Sequence, residues 1–199
     1  MSIPVMDDQW TETDPDGAWT SLSSDAKHER ILCAAWRVFS TEGLDAPMPV
    51  VAAAAGAGVA SLYRQFPSKS DLVAVLVTRR LEQIRKVAEA ASRQPGSRWA
   101  ALTEMLWTIV EQQHGDEILG EAWSQVADQE DVVRATAHTQ DAIDRLLAAA
   151  RSEGSVRADV QALDMRLVFT ATRAAGRVSP EAWRRMLELL IDGLAARLS

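Results

Sequence analysis

The sequence predicts an all-α protein of about nine helices, with an N-terminal three-helix helix-turn-helix domain followed by a C-terminal helical domain. Three observations carry this. Alanine, leucine and arginine are the three commonest residues of the chain, and all three favour helix. Apolar residues recur at helical spacing in segment after segment, while no alternating Val/Ile/Thr run is long enough for a strand. The 10 glycines and 7 prolines are few and fall where the helical segments stop. With 199 residues, 47% of them hydrophobic, the chain can bury one large or two small cores.

Residues 1–24 read as a flexible acidic tail, with Pro4, Pro15 and Gly17 and no hydrophobic period. Trp10 and Trp19 are unusual there and leave open a folded extra segment. A first helix is expected over about 25–42, capped by Ser24 or Asp25. Ile31, Ala35, Val38 and Phe39 form its apolar stripe, Leu32 and Trp36 widen it, and Gly43 ends it. A short second helix is expected over about 49–55, with Pro49 at the first helical position, where a missing N–H costs nothing. Its alanines let another helix cross closely. Gly56 permits a tight turn, and a third helix covers about 59–66 before Pro67.

Ser68 and Asp71 have the spacing of a capping box and open a fourth helix that reaches about Arg93. At about 1.5 Å per residue this helix is nearly 40 Å long, enough to connect two domains mechanically. Gln94-Pro95-Gly96-Ser97 breaks it, and a fifth helix follows with Trp99, Leu102, Leu106, Ile109 and Val110. Gly115-Asp116 breaks again before a sixth helix with Ile118, Leu119, Ala122, Trp123 and Val126. A seventh runs over about 131–152, with Val132, Thr136, Thr139, Ile143, Leu146, Leu147 and Ala150 on one face. Gly154 stops it. The eighth, about 162–176, is expected to bury Leu163, Leu167, Val168 and Ala171. Ser179-Pro180-Glu181 reads as cap, first-turn proline and first-turn acid of a ninth helix, with a wide apolar arc.

Chemistry concentrates in residues 51–69. A short helix, a glycine-bearing turn and a second helix stopped by proline make a helix-turn-helix, whose second helix enters a DNA major groove. The net charge of −7 looks wrong for such a role, but its distribution helps. Residues 1–24 carry five acids and no Lys or Arg. Residues 25–80 carry seven bases and five acids, a net +2, and are the only positive segment. Elsewhere the chain is poor in reactive constellations. Cys33 is the only cysteine and sits among apolar neighbours, which reads as a small core residue rather than a redox site. His28, His114 and His138 lack metal-ligand spacing and read as surface positions. No metal and no cofactor are expected. No apolar run approaches the roughly 18 residues of a membrane span, and no signal-peptide pattern opens the chain, so a cytoplasmic protein is expected.

Several of these residues fit one pattern. Ile31, Ala34, Ala35, Phe39 and Gly43 precede Val51-Ala52, Ala55-Gly56, Gly58, Ser61-Leu62-Tyr63-Arg64, Phe66-Pro67, Lys69 and Leu72. Residues 25–84 therefore resemble the N-terminal domain of the tetracycline-repressor (TetR) family of bacterial transcription regulators. The C-terminal match is looser and runs through Gly154-Ser155-Val156-Arg157-Ala158-Asp159, Trp183-Arg184-Arg185 and Leu190-Ile191-Asp192-Gly193-Leu194. The resemblance implies an all-helical homodimer. Residues 25–84 would be the DNA-binding domain and 85–199 the ligand-binding and dimerisation domain. Its partners would be a double-stranded operator with an inverted repeat and a small-molecule effector that releases it.

By matching positions, the resemblance places Val59, Ala60 and Ser61 at base edges, where Ser61 can donate or accept and the two apolar residues can meet a thymine methyl. Tyr63 would reach phosphate or a base edge, Gln65 phosphate or adenine, and Lys69 phosphate. Arg64 is open between a phosphate contact and plain surface, and Tyr63 and Lys69 also have bland readings, as core residue and solvated charge. Leu62 and Phe66, four apart, hold the helix to its core. The sequence departs from the pattern at the start of the second helix. Met48 and Pro49 stand where the family often has Thr or Ser, sometimes followed by Arg, and Lys27 and Arg30 on the first helix are the candidates to compensate.

The ligand side is read from helical phase alone. Trp99, Met105, Trp107, Trp123, Thr136, Thr139 and Phe169 are the candidate lining residues. Trp99 and Trp123 lie on apolar stripes and read more simply as core. Trp107 and Phe169 lie beside the stripes. The two threonines can offer hydroxyls or bond their own helix carbonyls. Trp183, Met186, Leu187, Leu190 and Leu194 are the candidate dimer interface, in a four-helix bundle of the last two helices from each copy. No nucleophile elbow, phosphate loop or metal spacing supports an enzyme. The competing reading is a helical ligand- or protein-binding protein that has lost operator binding.

Overall fold

The computed structural model describes residues 18–113 and 118–196. Of the tail expected over residues 1–24, residues 1–17 lie outside the described residues, as do His114 and the break at Gly115-Asp116; residues 18–24 are not tail but hold a 3-10 turn at Trp19–Ser21 and the cap and first residue of a helix. The described residues form nine α-helices: α1 (Ser24–Glu42), α2 (Met48–Ala54), α3 (Val59–Gln65), α4 (Lys69–Arg93), α5 (Arg98–Gln113), α6 (Ile118–Val126), α7 (Glu130–Ser152), α8 (Ala162–Gly176) and α9 (Ala182–Leu194). They separate into two compact units. One holds residues 18–79 and 118–133, the other 80–113 and 134–196. The boundary falls inside α4, between Arg79 and Arg80. Sequence reasoning grouped 118–133 with the C-terminal helices, whereas the structure groups it with the N-terminal ones.

In the first unit, a 3-10 turn at Trp19–Ser21 precedes α1. Ser23, not Ser24 or Asp25, caps that helix, its hydroxyl accepting the Ala26 N–H at 3.1 Å. Ile31, Leu32, Cys33, Ala34, Ala35, Val38 and Phe39 are all buried, so Cys33 is a core residue. Gly43 closes α1 at φ 83°, a left-handed conformation that suits a residue without Cβ. α2 begins one residue before the expected proline position, and Val51, Ala52 and Ala55 bury its inner face. Gly56, at φ +66°, turns the chain into α3. The capping box of α4 forms as expected, with Asp71 N–H on Ser68 Oγ at 3.1 Å and Ser68 N–H on Asp71 Oδ2 at 2.9 Å. Gln129 donates to Ser70 Oγ at 2.6 Å and ties the segment after α6 to the start of α4. Glu29 on α1 receives Arg79 of α4 in a two-pronged ion pair at 2.5 and 2.6 Å.

The second unit is built around Leu102, Met105, Leu106, Ile109, Leu146, Leu147, Met165 and Leu187, all fully buried. α8 and α9 pack along each other. Two features here were not foreseen. Gln161 caps α8 in a capping box with Asp164, and the residues just after α9 fold back so that Val156 and Ala195 form an antiparallel bridge, with Arg157 N–H on Leu194 O at 3.1 Å. Ser179 and Pro180 do not open α9. The helix begins at Ala182, after a turn in which Ala182 N–H bonds Ser179 O at 3.1 Å. The buried face of α8 also differs from expectation. Ala162, Met165, Val168, Phe169, Thr172 and Ala175 face the core, and Leu163 and Leu167 stand 55% and 61% exposed.

Candidate nucleic-acid interface

α3 has two sides with different fates. Leu62 is fully buried and Phe66, just past the helix end, is 2% exposed, so the i, i+4 pair anchors the helix in the first unit. His28 stacks on Phe66 at 4.8 Å between ring centroids and backs that anchor, a contact the sequence did not suggest. The other side is open. Val59 and Tyr63 are 42% and 43% exposed, Ala60 and Arg64 are exposed, and Ser61 and Gln65 are half-buried. Tyr63 is therefore not a core residue. Val59, Ala60, Tyr63 and Arg64 share the outer surface that a docked groove would meet.

Two polar contacts pre-order this surface. Arg64 Nη2 donates to Ser61 Oγ at 2.7 Å, which leaves the Ser61 proton available to a base or phosphate acceptor. Lys69 is half-buried, its Nζ 5.6 Å above the Phe39 ring, so its stem is packed while its charge stays at the surface. The capping box uses the N–H groups of Ser68 and Asp71, so a phosphate at the start of α4 would meet the N–H groups of Lys69 and Ser70 together with the Lys69 ammonium. At the start of α2, Met48 is buried at 5% and the helix has no side-chain cap. The position where the resemblance implies a Thr or Ser hydroxyl is filled by a buried methionine here.

One feature beside α3 was missed. The Trp19–Ser21 turn and the first turn of α1 form a cleft of about 500 Å³ with α3, lined by Trp19, Thr20, Ser24, Lys27, Ser61 and Arg64 among others. Lys27 Nζ lies 5.9 Å over the Trp19 ring. Trp19 was the only signal, an aromatic residue in a segment otherwise read as tail.

In the second unit, Met105 is fully buried, Phe169 is 8% exposed, and Trp99 and Trp107 pack half-buried against the same core. Trp107 meets Trp183 edge-on at 6.2 Å. Thr139 points its hydroxyl at Leu81 O at 3.0 Å and at Ala135 O at 2.8 Å, so it bonds backbone carbonyls of two helices. Thr136 is half-buried. Trp123 is half-buried in the other unit, so it is not grouped with the rest. Sequence reasoning missed Arg80 and Gln83, buried at 5% and 8% and joined by a 3.2 Å hydrogen bond, because charged and amide side chains on a long helix read as surface. It also missed the buried Gln112 Oε1, which has no hydrogen-bond partner among the described residues.

Of the dimer candidates, Trp183, Leu187 and Leu194 are buried inside their own unit, and Met186 and Leu190 are half-buried. The exposed apolar side chains on the last two helices are instead Leu163, Leu167 and Leu189.

This architecture defines a class, a helix-turn-helix regulator with an all-helical C-terminal unit, and comparison with known proteins gives the family. Residues 31–76 match the family of bacterial regulatory proteins named for TetR, and residues 95–196 match the C-terminal domain of SbtR-like transcriptional regulators within it. The chain belongs to the TetR family of transcriptional regulators. A TetR regulatory protein from Mycobacterium vanbaalenii is similar over 85% of this chain and 95% of its own, at 28% identity and TM-score 0.58. A TetR regulator from Streptomyces coelicolor covers 85% of this chain and 99% of its own, at 26% identity and TM-score 0.58. SmeT, the repressor of the Stenotrophomonas maltophilia multidrug efflux pump SmeDEF, shares the fold at 20% identity and TM-score 0.62, over 89% of this chain and 92% of its own. No match was found among curated proteins. No helix among the described residues is long and apolar enough to cross a membrane.

Proposed function

We propose that this regulator binds an inverted-repeat operator as a homodimer and is released from it by a small-molecule effector. The observation that carries the reading is the exposed face of α3, with Val59, Tyr63 and Arg64 held outward by the buried Leu62 and Phe66. Val59 and Ala60 meet thymine methyls, Ser61 and Gln65 read base edges, and Tyr63, Arg64 and Lys69 hold phosphates. One α3 spans only one stretch of major groove. A palindromic site needs two copies of the chain, with recognition helices roughly 34 Å apart.

The exposed Leu163 and Leu167 on α8 and Leu189 on α9 supply an apolar surface on which a second copy can pack. The effector site belongs to the second unit, where Trp107 and Phe169 border the core and Arg80, Gln83 and Gln112 place polar groups out of water. Its effect is a shift in populations: the effector binds more tightly to the conformation whose recognition helices are wrongly spaced. α4 runs without a break from one unit into the other and is the element able to carry that change. The test is binding selection on random duplex DNA with the purified protein at near-physiological salt. Enrichment of an inverted repeat is the expected result. A folded dimer that enriches nothing would favour the reading in which operator binding has been lost.

A further inference from the structure

The cleft beside α3 is rich in donors, and no acid lines it among the described residues. Lys27 and Arg64 supply two cations, and Thr20, Ser24 and Ser61 supply hydroxyls. Lys27 rests over Trp19, Arg64 is bonded to Ser61, and neither pairs with a carboxylate among the described residues. The nearest acids on α1 are otherwise placed: Asp25 is exposed and does not line the cleft, and Glu29 is bound to Arg79. Residues 1–17, which closely precede Trp19 in the sequence, contain Asp7, Asp8, Glu12, Asp14 and Asp16 and no Lys or Arg. At about 3.5 Å per residue, Asp16 lies within about 10 Å of Trp19 and Asp14 within about 17 Å. Carboxylates tethered this closely act at an effective concentration in the millimolar range.

We infer that the acidic residues 1–17 occupy the Lys27–Arg64 cleft when DNA is absent and compete with operator phosphates for it, so the chain carries its own brake on DNA binding. The consequence for DNA rests on the operator-binding reading above, while the docking itself does not. The occupant follows from charge and tether: the cleft offers cations and hydroxyls, and the only charged side chains in the tethered segment are carboxylates. Phosphate oxygens suit the same donors, which makes the two occupants mutually exclusive.

The test uses the full-length chain with its five N-terminal acids neutralised (Asp7→Asn, Asp8→Asn, Glu12→Gln, Asp14→Asn, Asp16→Asn). Binding to the selected operator is followed by fluorescence anisotropy against salt. The variant is expected to bind roughly three- to tenfold more tightly at about 50 mM salt and to converge with the natural chain as salt rises, because screening weakens the tail's hold. The slope of log K against log salt should steepen by about 1.8, the contribution of two cations freed for phosphate. A second arm needs no DNA. A labelled peptide of residues 1–17 is titrated at up to roughly millimolar concentration, the range of the tethered segment, onto the five-substitution chain. It should bind, and Lys27→Gln with Arg64→Gln should abolish that binding.

Equal operator affinity of the two chains, or tighter binding by the natural one, would overturn the brake. If neither chain binds any DNA, the operator reading fails and the peptide arm alone decides the docking. A peptide that does not bind, or binds regardless of Lys27 and Arg64, overturns it.

Discussion

α3 and α8 pose the same problem with opposite degrees of difficulty. On α3 the large apolar anchors Leu62 and Phe66 lie four apart on one side, and the open side carries Val59, Ala60, Tyr63 and Arg64. Leu62 and Phe66 have only one place to go, so the outward residues follow at once. On α8 two apolar faces compete. Met165, Val168 and Phe169 bury against their own unit, while Leu163 and Leu167, which match helical spacing equally well, stand exposed. Periodicity reports that a helix has an apolar face, but not whether a second such face waits for another chain. A helix apolar over most of its circumference signals two partners, and phase alone cannot say which face belongs to which.

The sharpest way to break this comparison is to treat the buried and exposed leucines of the last two helices as a pair. Leu187→Ala removes a fully buried side chain and should cost about 2–5 kcal/mol of stability, seen as a lower denaturation midpoint. Leu167→Glu, on a residue 61% exposed, should leave the midpoint of the folded unit nearly unchanged. It should instead convert the dimer to monomer in sedimentation and abolish operator binding. If Leu167→Glu stays dimeric, the exposed face of α8 is not the interface.

The same contrast applies on α3 at smaller amplitude. Arg64→Ala and Tyr63→Ala should each weaken operator binding by about 1–3 kcal/mol with no loss of thermal stability, since both side chains point outward. Lys69→Ala should weaken binding alike on every operator sequence and lower the salt slope by about 0.9, the share of one phosphate contact. A drop in melting temperature with Lys69→Ala would instead mark its packing over Phe39 as the residue's main role.

These contrasts mark how much was legible. The helices, the buried anchors of α3 and the α4 capping box were readable because each rests on local spacing. The sequence could not place 118–133, since joining α6 to the first unit depends on tertiary contacts such as Gln129 on Ser70, 59 residues apart. Nor could it show that Arg80 and Gln83 are buried, because composition marks such side chains as solvent-facing. The bridge between Val156 and Ala195 joins the loop after α7 to the residue that follows α9, a pairing of two single residues with no periodic trace. The α9 start was misplaced for a different reason: Ser-Pro-Glu is a sound opening in isolation, but the chain spends those residues on a turn first.

The smallest effect expected concerns the ion pair that fastens α4 to α1 within the first unit. Arg79 grips both carboxylate oxygens of Glu29, and the hydrogen bonds it donates hold the Glu29 carboxyl below its ordinary value of 4.5, against the opposing effect of partial burial. Because the folded value is lowered, the unfolded chain binds the proton first as pH falls. The pair's contribution is therefore intact at neutral pH, begins to fade near the ordinary carboxylate value, and is gone once pH falls below the lowered one. Both side chains are partly exposed, 25% for Arg79 and 36% for Glu29, so screening limits the contribution to about 0.2–1 kcal/mol. Glu29→Gln keeps the shape and one acceptor oxygen but removes the charge. The difference in unfolding free energy between the natural chain and this variant should be positive at pH 7 and shrink toward zero in acid. A difference that does not change with pH would mean that packing around Glu29, not its charge, holds α4 in place.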